Sequence, residues 1–513
     1  MGVPAFFRKL TQKHKIIIKS QIKNIDFLYI DANCLFHPQC FKEIEESINI
    51  KEEQILHNKM YERIIKYIET IINYVKPNKF TYIAVDGVAP LAKINQQRIR
   101  RFANINNYKH QIMTKHNIKF SNWSNIIITP ATKFMYELHE KILNYVKNKN
   151  IIYSSFLEEA EGEHKIIQHL KTLNITNEKT VIYGLDADLI FLSLASNKPN
   201  IYLLREINQV SNEKDENFCY VDMDFTKLCI RNEINIIDDY IFICFFLGND
   251  FLPHLPSIDI NIGGYELLLN IYLEIYDKLL VGLIIREKNK ISINHKFLLE
   301  FIQKLSNYEN IFFKKDLPEY LEKHKTRKCY ETEPYKKEIW EVENLKNIII
   351  KDDIKLYKEG FKERYYKKYF YVDDKQEITN KLCQNYLEGL LWVANYYFDK
   401  CNSWRWQYKF THPPFLSDLY NYLKNMDINK NFNVEYKSPI DINTQLLCVI
   451  PPQFSHILPE KLRFLNSSSN SPIIDMYPII YNLDMCNKTQ LYKCIPILPY
   501  LDIDRVEKAI KNI

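Results

Sequence analysis

Seven acidic side chains fall where an α/β chain could gather them. Asp31 closes the run FLYI, Asp86 closes TYIAV, and Asp186 and Asp188 follow VIYGL. Glu161 and Glu163 stand in EEAEGEHK at a predicted helix start, and Asp250 ends IFICFFLGND. In open α/β sheets ligands bind just beyond the carboxyl ends of the strands, so three strands would aim their acids at one crevice. Carboxylates crowded in this way repel one another unless cations lie between them, and hard oxygen ligands suit Mg²⁺ or Mn²⁺. Two such ions about 4 Å apart can activate a water and stabilise the leaving oxygen of a phosphodiester. One Asp after a strand is as readily a turn residue or an N-cap; seven acids at such positions favour a metal site.

A cationic counterpart follows closely. From Gly87 to Tyr136 there is no Asp or Glu, while the stretch carries Lys93, Arg98, Arg100, Arg101, Lys109, Lys115, Lys119 and Lys133. Lys93, Gln97, Arg100 and Arg101 share one helical face by their spacing. Arg presents a planar fork matched to phosphate and Lys a point charge. The face begins seven residues past Asp86, so a phosphate grip beside the metal site is expected; the bland reading is a solvated basic surface. His37, six residues past Asp31, would border the same crevice. Trp404 and Trp406 lie in NSWRWQYKFTHPPF. Either could stack on a base, although core packing is the commoner fate of a tryptophan. If they sit on a strand they point to opposite faces, so at most one would reach a ligand.

The elements that must position these residues alternate β-rich apolar runs with amphipathic stretches from Met1 to about Asp277. That pattern predicts an α/β domain with a mostly parallel central sheet flanked by helices. Predicted strands are Phe27–Ile30, Thr81–Val85, Ile126–Ile128, Val181–Gly184 and Ile201–Leu204. Predicted helices are Lys59–Val75, Leu91–Lys109, Thr132–Lys147 and Glu161–Leu173, and Asp238–Leu247 reads as a buried helix opened by an acidic pair. A charged, tyrosine-rich helical connection is expected over 278–356, and a second, aromatic-rich region over 357–513.

The chain has 513 residues, 46% of them hydrophobic, and a formal net charge of +6. That is ample for a large core, and the mild overall charge carries less information than its local clustering. The eleven cysteines form no C-x-x-C pair, which suggests neither zinc nor a disulfide framework and favours a reduced, intracellular compartment. The opening MGVPAFFRKL lacks a signal-peptide core, and Phe6 stands where a myristoylation signal has Ser or Thr. No stretch has the length and apolarity of a membrane span. Cytoplasm and nucleus are not distinguished, and the Ile/Asn/Lys bias is compatible with an AT-rich viral or parasite genome.

Long motifs then match a known family. MGVPAFFRKL, DFLYIDANCLFHP, IAVDGVAPLAKINQQRIRRF, ITPATKFM, EGEHKII, VIYGLDADLIFLSLA, LLRE and FLGNDFLPHLPS resemble the first conserved region of the XRN 5′→3′ exoribonucleases. KEGFKERYYKKYF, YLEGLLWVANYYFDKCNSWRWQYKFTHPPFLSDL and LLCVIPPQFSHILPEKLRFL followed by SPIIDMYP resemble the second. The resemblance covers nearly the whole chain, and the chain stops soon after the second region, as in a compact form without the long C-terminal extension. It implies a 5′-nuclease core over 1–277, with the second region walling the active site. It also implies that Asp31, Asp86, Glu161, Glu163, Asp186, Asp188 and Asp250 hold two Mg²⁺ or Mn²⁺ ions. Lys93, Gln97, Arg100 and Arg101 would grip a 5′-monophosphate, and His37 with Trp404 or Trp406 would sandwich a base. The expected activity is processive 5′→3′ hydrolysis of single-stranded RNA to nucleoside 5′-monophosphates. A flap-type DNA nuclease and a non-catalytic RNA-binding protein on a nuclease fold are the competing expectations. The usual tyrosine-rich YPYHYAP of the family stands here as KFTHPPF, a departure near Thr411 and His412.

Overall fold

The structure, a computed structural model, describes residues 6–104, 108–121, 123–207, 218–287, 290–370, 375–431 and 436–513. Residues 1–5 of the opening motif therefore lie outside the described residues. A seven-stranded sheet has the order β1-β7-β6-β5-β2-β3-β4. Its strands are β1 (Ile17–Ile18), β2 (Phe27–Asp31), β3 (Phe80–Ala84), β4 (Ile151–Ser154), β5 (Thr180–Tyr183), β6 (Ile201–Glu206) and β7 (Phe218–Asp222). The run from β6 through β5, β2 and β3 to β4 is parallel, while β7 and β1 add an antiparallel edge. The expected mostly parallel sheet is thus present.

The centre of the sheet explains why FLYI is apolar throughout. Phe27 and Tyr29 join one core and Leu28 and Ile30 another, on opposite faces. A strand covered on both sides reads as a continuous hydrophobic run, as expected for a parallel sheet. With β5 and β3 as the neighbours of β2, the segments carrying Asp31, Asp86 and Asp186 all leave the same edge.

Two local expectations are corrected. Ile126–Ile128 is not a strand: Asn125–Ile127 forms a 3₁₀ turn capped by the Ser124 side chain, which accepts from the Ile126 amide. Three β-branched residues cannot outbid a local cap with no neighbouring strand to pair with. The parallel strand next to β3 is instead Ile151–Ser154. The helix predicted over Leu91–Lys109 stops at Ala103, and Tyr108–Lys115 forms a separate helix; residues 105–107 lie outside the described residues. The helix predicted from Lys59 begins earlier, spanning Glu53–Val75; the others form close to their predicted bounds, with Thr132 capping Lys133–Val146 and Ile237–Cys244 running into a 3₁₀ turn over Phe245–Leu247.

The second region shares its core with the sheet. Tyr29 and Ile182 belong to the same buried cluster as Leu387, Trp392, Tyr397 and Phe415. A further cluster joins Leu91 and Ile94 of the basic helix to Leu446, Val449, Met476 and Val506. The aromatic-rich second region therefore packs around the carboxyl edge of the sheet. No helix among the described residues is long and apolar enough to cross a membrane.

Candidate active site

Asp31 ends β2 and stands at the N-cap position of the Ala32–Glu46 helix, yet its side chain makes no capping hydrogen bond. Glu161 holds the same position before Gly162–Thr172 and also makes none. Both side chains are buried, which removes the bland reading for these two acids. The Cys34 thiol donates to Asp31 Oδ2 at 2.9 Å, while Asp31 Oδ1 and Glu163 Oε2 are buried with no hydrogen-bond partner.

The helix bearing Glu161 and Glu163 is pressed onto the strand ends. The Gly162 amide donates to Asp86 Oδ1 at 2.6 Å. A Cβ at Gly162 would stand 2.8 Å from Asp31 Oδ1 and 3.3 Å from Asp86 Oδ1, so glycine is required for backbone to come this close to two carboxylates. Lys165, one turn on, donates to the carbonyls of Val85 and Ser155 at 2.8 and 2.7 Å. Its ammonium anchors the helix to β3 and β4, and burial lowers its pKa to about 8.

The electrostatics show one acidic cluster. Burial, then Asp86, with further contributions from Asp186 and Glu161, raises Asp31 well above the carboxylate range. Burial, then Glu161, raises Asp86 to about 6. Burial, then Asp188 and Glu161, raises Glu163. Burial, then Asp250, raises Asp188 to about 7. The cluster thus runs without a break from Asp31 to Asp250, with Asp186 as its exposed member. Among the described residues no group of three or more His, Cys, Asp or Glu side chains is arranged to hold a metal ion. The all-oxygen donor set, with its mutual repulsion and two partnerless buried oxygens, nonetheless fits Mg²⁺ or Mn²⁺ in its chemistry.

Lys93 stands among these acids. Its Nζ lies 2.7 Å from Glu161 Oε1 and 2.8 Å from Asp250 Oδ2. Burial opposes its charge, but Asp250 and Glu161 hold its pKa well above the lysine value. Although burial works against it, Asp250 is in turn held well below the carboxylate range by Lys93. The structure therefore places Lys93 as an internal counter-ion of the carboxylates and not beside Arg100 and Arg101. The reason is direct: it is a buried ammonium within 3 Å of two buried carboxylates.

The rest of the basic face opens into a cleft of about 690 Å³. Gln97, Arg100 and Arg101 line it together with His37, Asp86 and Glu161. Arg101 Nη1 is buried without a partner, and burial, then the neighbouring Arg100 charge, lowers its pKa; it is a cation lacking its counter-ion. Burial, then Arg100 and Arg101, brings His37 down to about 4, so its ring is neutral near pH 7. Arg98 faces away: buried, it donates to the carbonyls of Met476 and Pro499 and so fastens the helix to the second region.

Neither Trp404 nor Trp406 lines this cleft. The Trp406 ring stacks on Trp392 at 5.1 Å and lies against Gly389, where a Cβ would come within 2.7 Å of it. Trp404 is buried, and its carbonyl accepts from the Leu91 amide at 2.7 Å. Their link to the acids is indirect. Trp392 stacks on Tyr396 at 5.0 Å, and the Tyr396 hydroxyl donates to Glu161 Oε2 at 2.9 Å. Sequence reasoning missed Tyr396 and Lys165; the lysine was legible as the one cation in EGEHK.

Models of two protein regions match this chain: the XRN 5′-3′ exonuclease N-terminus over residues 1–207, and the Xrn1 helical domain over 231–348 and 318–513. The chain belongs to the XRN family. Among relatives, human 5′-3′ exoribonuclease 1 is 29% identical, with the match covering all of this chain and 34% of the human protein. The 5′-3′ exoribonuclease 2 proteins of Debaryomyces hansenii and Gallus gallus are each 27% identical over the whole chain and 70% of their own lengths. This XRN chain thus spans about a third of the human relative. Among solved structures, the catalytic core of Rad2 in complex with DNA substrate superposes with a TM-score of 0.34 at 13% identity, covering 88% of this chain and 99% of that one. A superposition so loose identifies no substrate.

Proposed function

We propose that this XRN-family protein is a 5′→3′ exoribonuclease that hydrolyses 5′-monophosphorylated RNA processively to nucleoside 5′-monophosphates. One observation carries the reading: Arg100 and Arg101 line the same cleft as Asp86 and Glu161. A cationic end and a carboxylate end in one groove are what holding a terminal phosphate while the next phosphodiester is cut requires.

Asp31, Asp86, Glu161, Glu163, Asp186, Asp188 and Asp250 are the residues that would hold divalent ions, which supply an activated water and a charge clamp on the leaving oxygen when bound. The protein's own part is positioning. Gln97, Arg100 and Arg101 bind the 5′-phosphate, and Arg101 gains the counter-ion it lacks. His37, neutral at working pH, offers a flat face to the first base. Tyr396 and Lys165 orient Glu161 and its helix. After release of the first nucleotide, the new 5′-phosphate is drawn to the same arginines, which gives the reaction its direction.

The test is incubation with RNA bearing a 5′-monophosphate, 5′-triphosphate or 5′-hydroxyl, and with flap DNA, each with and without Mg²⁺, while products are identified. Degradation of the monophosphate RNA alone, to nucleoside 5′-monophosphates and only with metal, is expected. Equal degradation of 5′-hydroxyl RNA, or release of oligonucleotides, would overturn the proposal.

A further inference from the structure

The cleft has an aromatic wall that the metal and phosphate groups do not use. Phe41 and Trp123 line it together with His37, Arg100 and Arg101. Phe41 is 46% exposed. Its ring meets Trp123 edge-on, with centroids 5.8 Å apart and planes at 83°. The Trp123 indole Nε1 is buried and has no hydrogen-bond acceptor. A buried indole N–H normally finds a partner, and leaving one unmade is costly.

The partnerless buried groups of this cleft and its acidic floor sort by chemistry. At the acidic end they are acceptors, Asp31 Oδ1 and Glu163 Oε2; in the cleft they are donors, Arg101 Nη1 and Trp123 Nε1. Acceptors await cations, and donors await an anion or another acceptor. His37 and Phe41 sit four residues apart on the Ala32–Glu46 helix, so they share a face about 6 Å apart along its axis. Two ring faces on one side of a groove, displaced along it, suit successive bases of an unpaired strand.

We propose that Phe41 and Trp123 form a second nucleotide-binding subsite, in which Phe41 stacks on a base and the Trp123 indole N–H donates to a phosphate oxygen of the substrate strand. The inference rests on the exoribonuclease reading for its ligand. It gives the strand a hold independent of the terminal phosphate, which successive cleavage without release requires. The contact with Phe41 holds the Trp123 ring at the cleft wall.

The test uses the full chain and a fluorescent single-stranded RNA oligonucleotide in EDTA, where binding is read without cleavage. The oligonucleotide carries a 5′-phosphate in one arm and a 5′-hydroxyl in the other. Trp123→Phe, which keeps a ring and removes the donor, is expected to raise Kd about tenfold in both arms, the size of a lost hydrogen bond to a charged acceptor. Phe41→Ala is expected to weaken both arms similarly, and Phe41→Tyr to restore binding. Melting temperatures of the variants identify folding losses. A Trp123→Phe protein with wild-type melting and wild-type Kd would overturn the subsite. Weakening confined to the 5′-phosphate arm would assign Trp123 to the terminal phosphate and overturn a second subsite. Failure of the wild-type protein to bind either RNA would instead defeat the underlying exoribonuclease reading.

Discussion

Lys93 shows how a side chain's role depends on what else is present. Its ammonium bridges Glu161 and Asp250, so Lys93→Gln leaves two buried carboxylates facing each other. Breaking such a bridge costs about 3–5 kcal/mol, and the metal-free variant should melt several degrees below the parent in EDTA. Mn²⁺ should recover most of that difference, because a divalent cation supplies the missing charge; a variant whose deficit is untouched by Mn²⁺ would place the metals elsewhere. Protons offer the same relief. The folded-state pKa values of Asp86 and Asp188 are raised to about 6 and 7, so between about pH 4 and 7 these two carboxyls hold more protons in the folded than in the unfolded chain. Their contribution to the stability of the metal-free protein is therefore lost as pH rises through that window, against the opposite contribution of His37, and Mg²⁺ should remove the carboxyl part of the slope in a melting series. For Arg101→Ala, loss of a charge-assisted fork predicts a drop of about 10- to 100-fold in preference for phosphorylated over hydroxyl RNA ends, read from Kd.

At the scale of elements, the site depends on backbone approach as much as on side chains. The Gly162–Thr172 helix starts where a Cβ would stand 2.8 Å from Asp31 Oδ1. Gly162→Ala must push the helix or the carboxylate aside, and displacements of tenths of an ångström are severe for metal-assisted chemistry. A fall of about tenfold or more in kcat is expected, with RNA Kd nearly unchanged because the arginines sit on a different helix. This requirement could not be read from EGEHK, since one sequence does not show what a glycine faces. The strand ends were legible: apolar runs closed by Asp fixed three of the acids, because a strand buried on both faces must be apolar until it emerges. The Asn125–Ile127 turn was not legible, because three isoleucines in a row have no strand period and a serine cap decides the outcome locally.

For the whole molecule, the second region holds the grip helix in place. Arg98 is 1% exposed and donates to the carbonyls of Met476 and Pro499, while Gln445 accepts from the Ala89 amide at 2.8 Å. Arg98→Met leaves the buried Met476 carbonyl without its donor, at a cost of about 1–3 kcal/mol. It should lower the melting temperature and weaken 5′-phosphate binding even though Arg98 does not line the cleft. Unchanged phosphate binding in a destabilised variant would show that the helix keeps its place without this anchor.

Residue types and their spacing determined the inventory: which acids end strands, which cations share a helical face, and that the sheet is mostly parallel. These follow from local rules, the period of an element and the burial of its faces. Tertiary packing alone decided the assignments. Lys93 and Arg98 share a helix with Arg100 and Arg101, yet one neutralises carboxylates and the other fastens a lobe. Trp406 went to a stack on Trp392, and Trp123, unremarkable in the sequence, entered the cleft. Charge and aromaticity name what a side chain can do; the partner that folding brings within 3 Å settles which of those things it does.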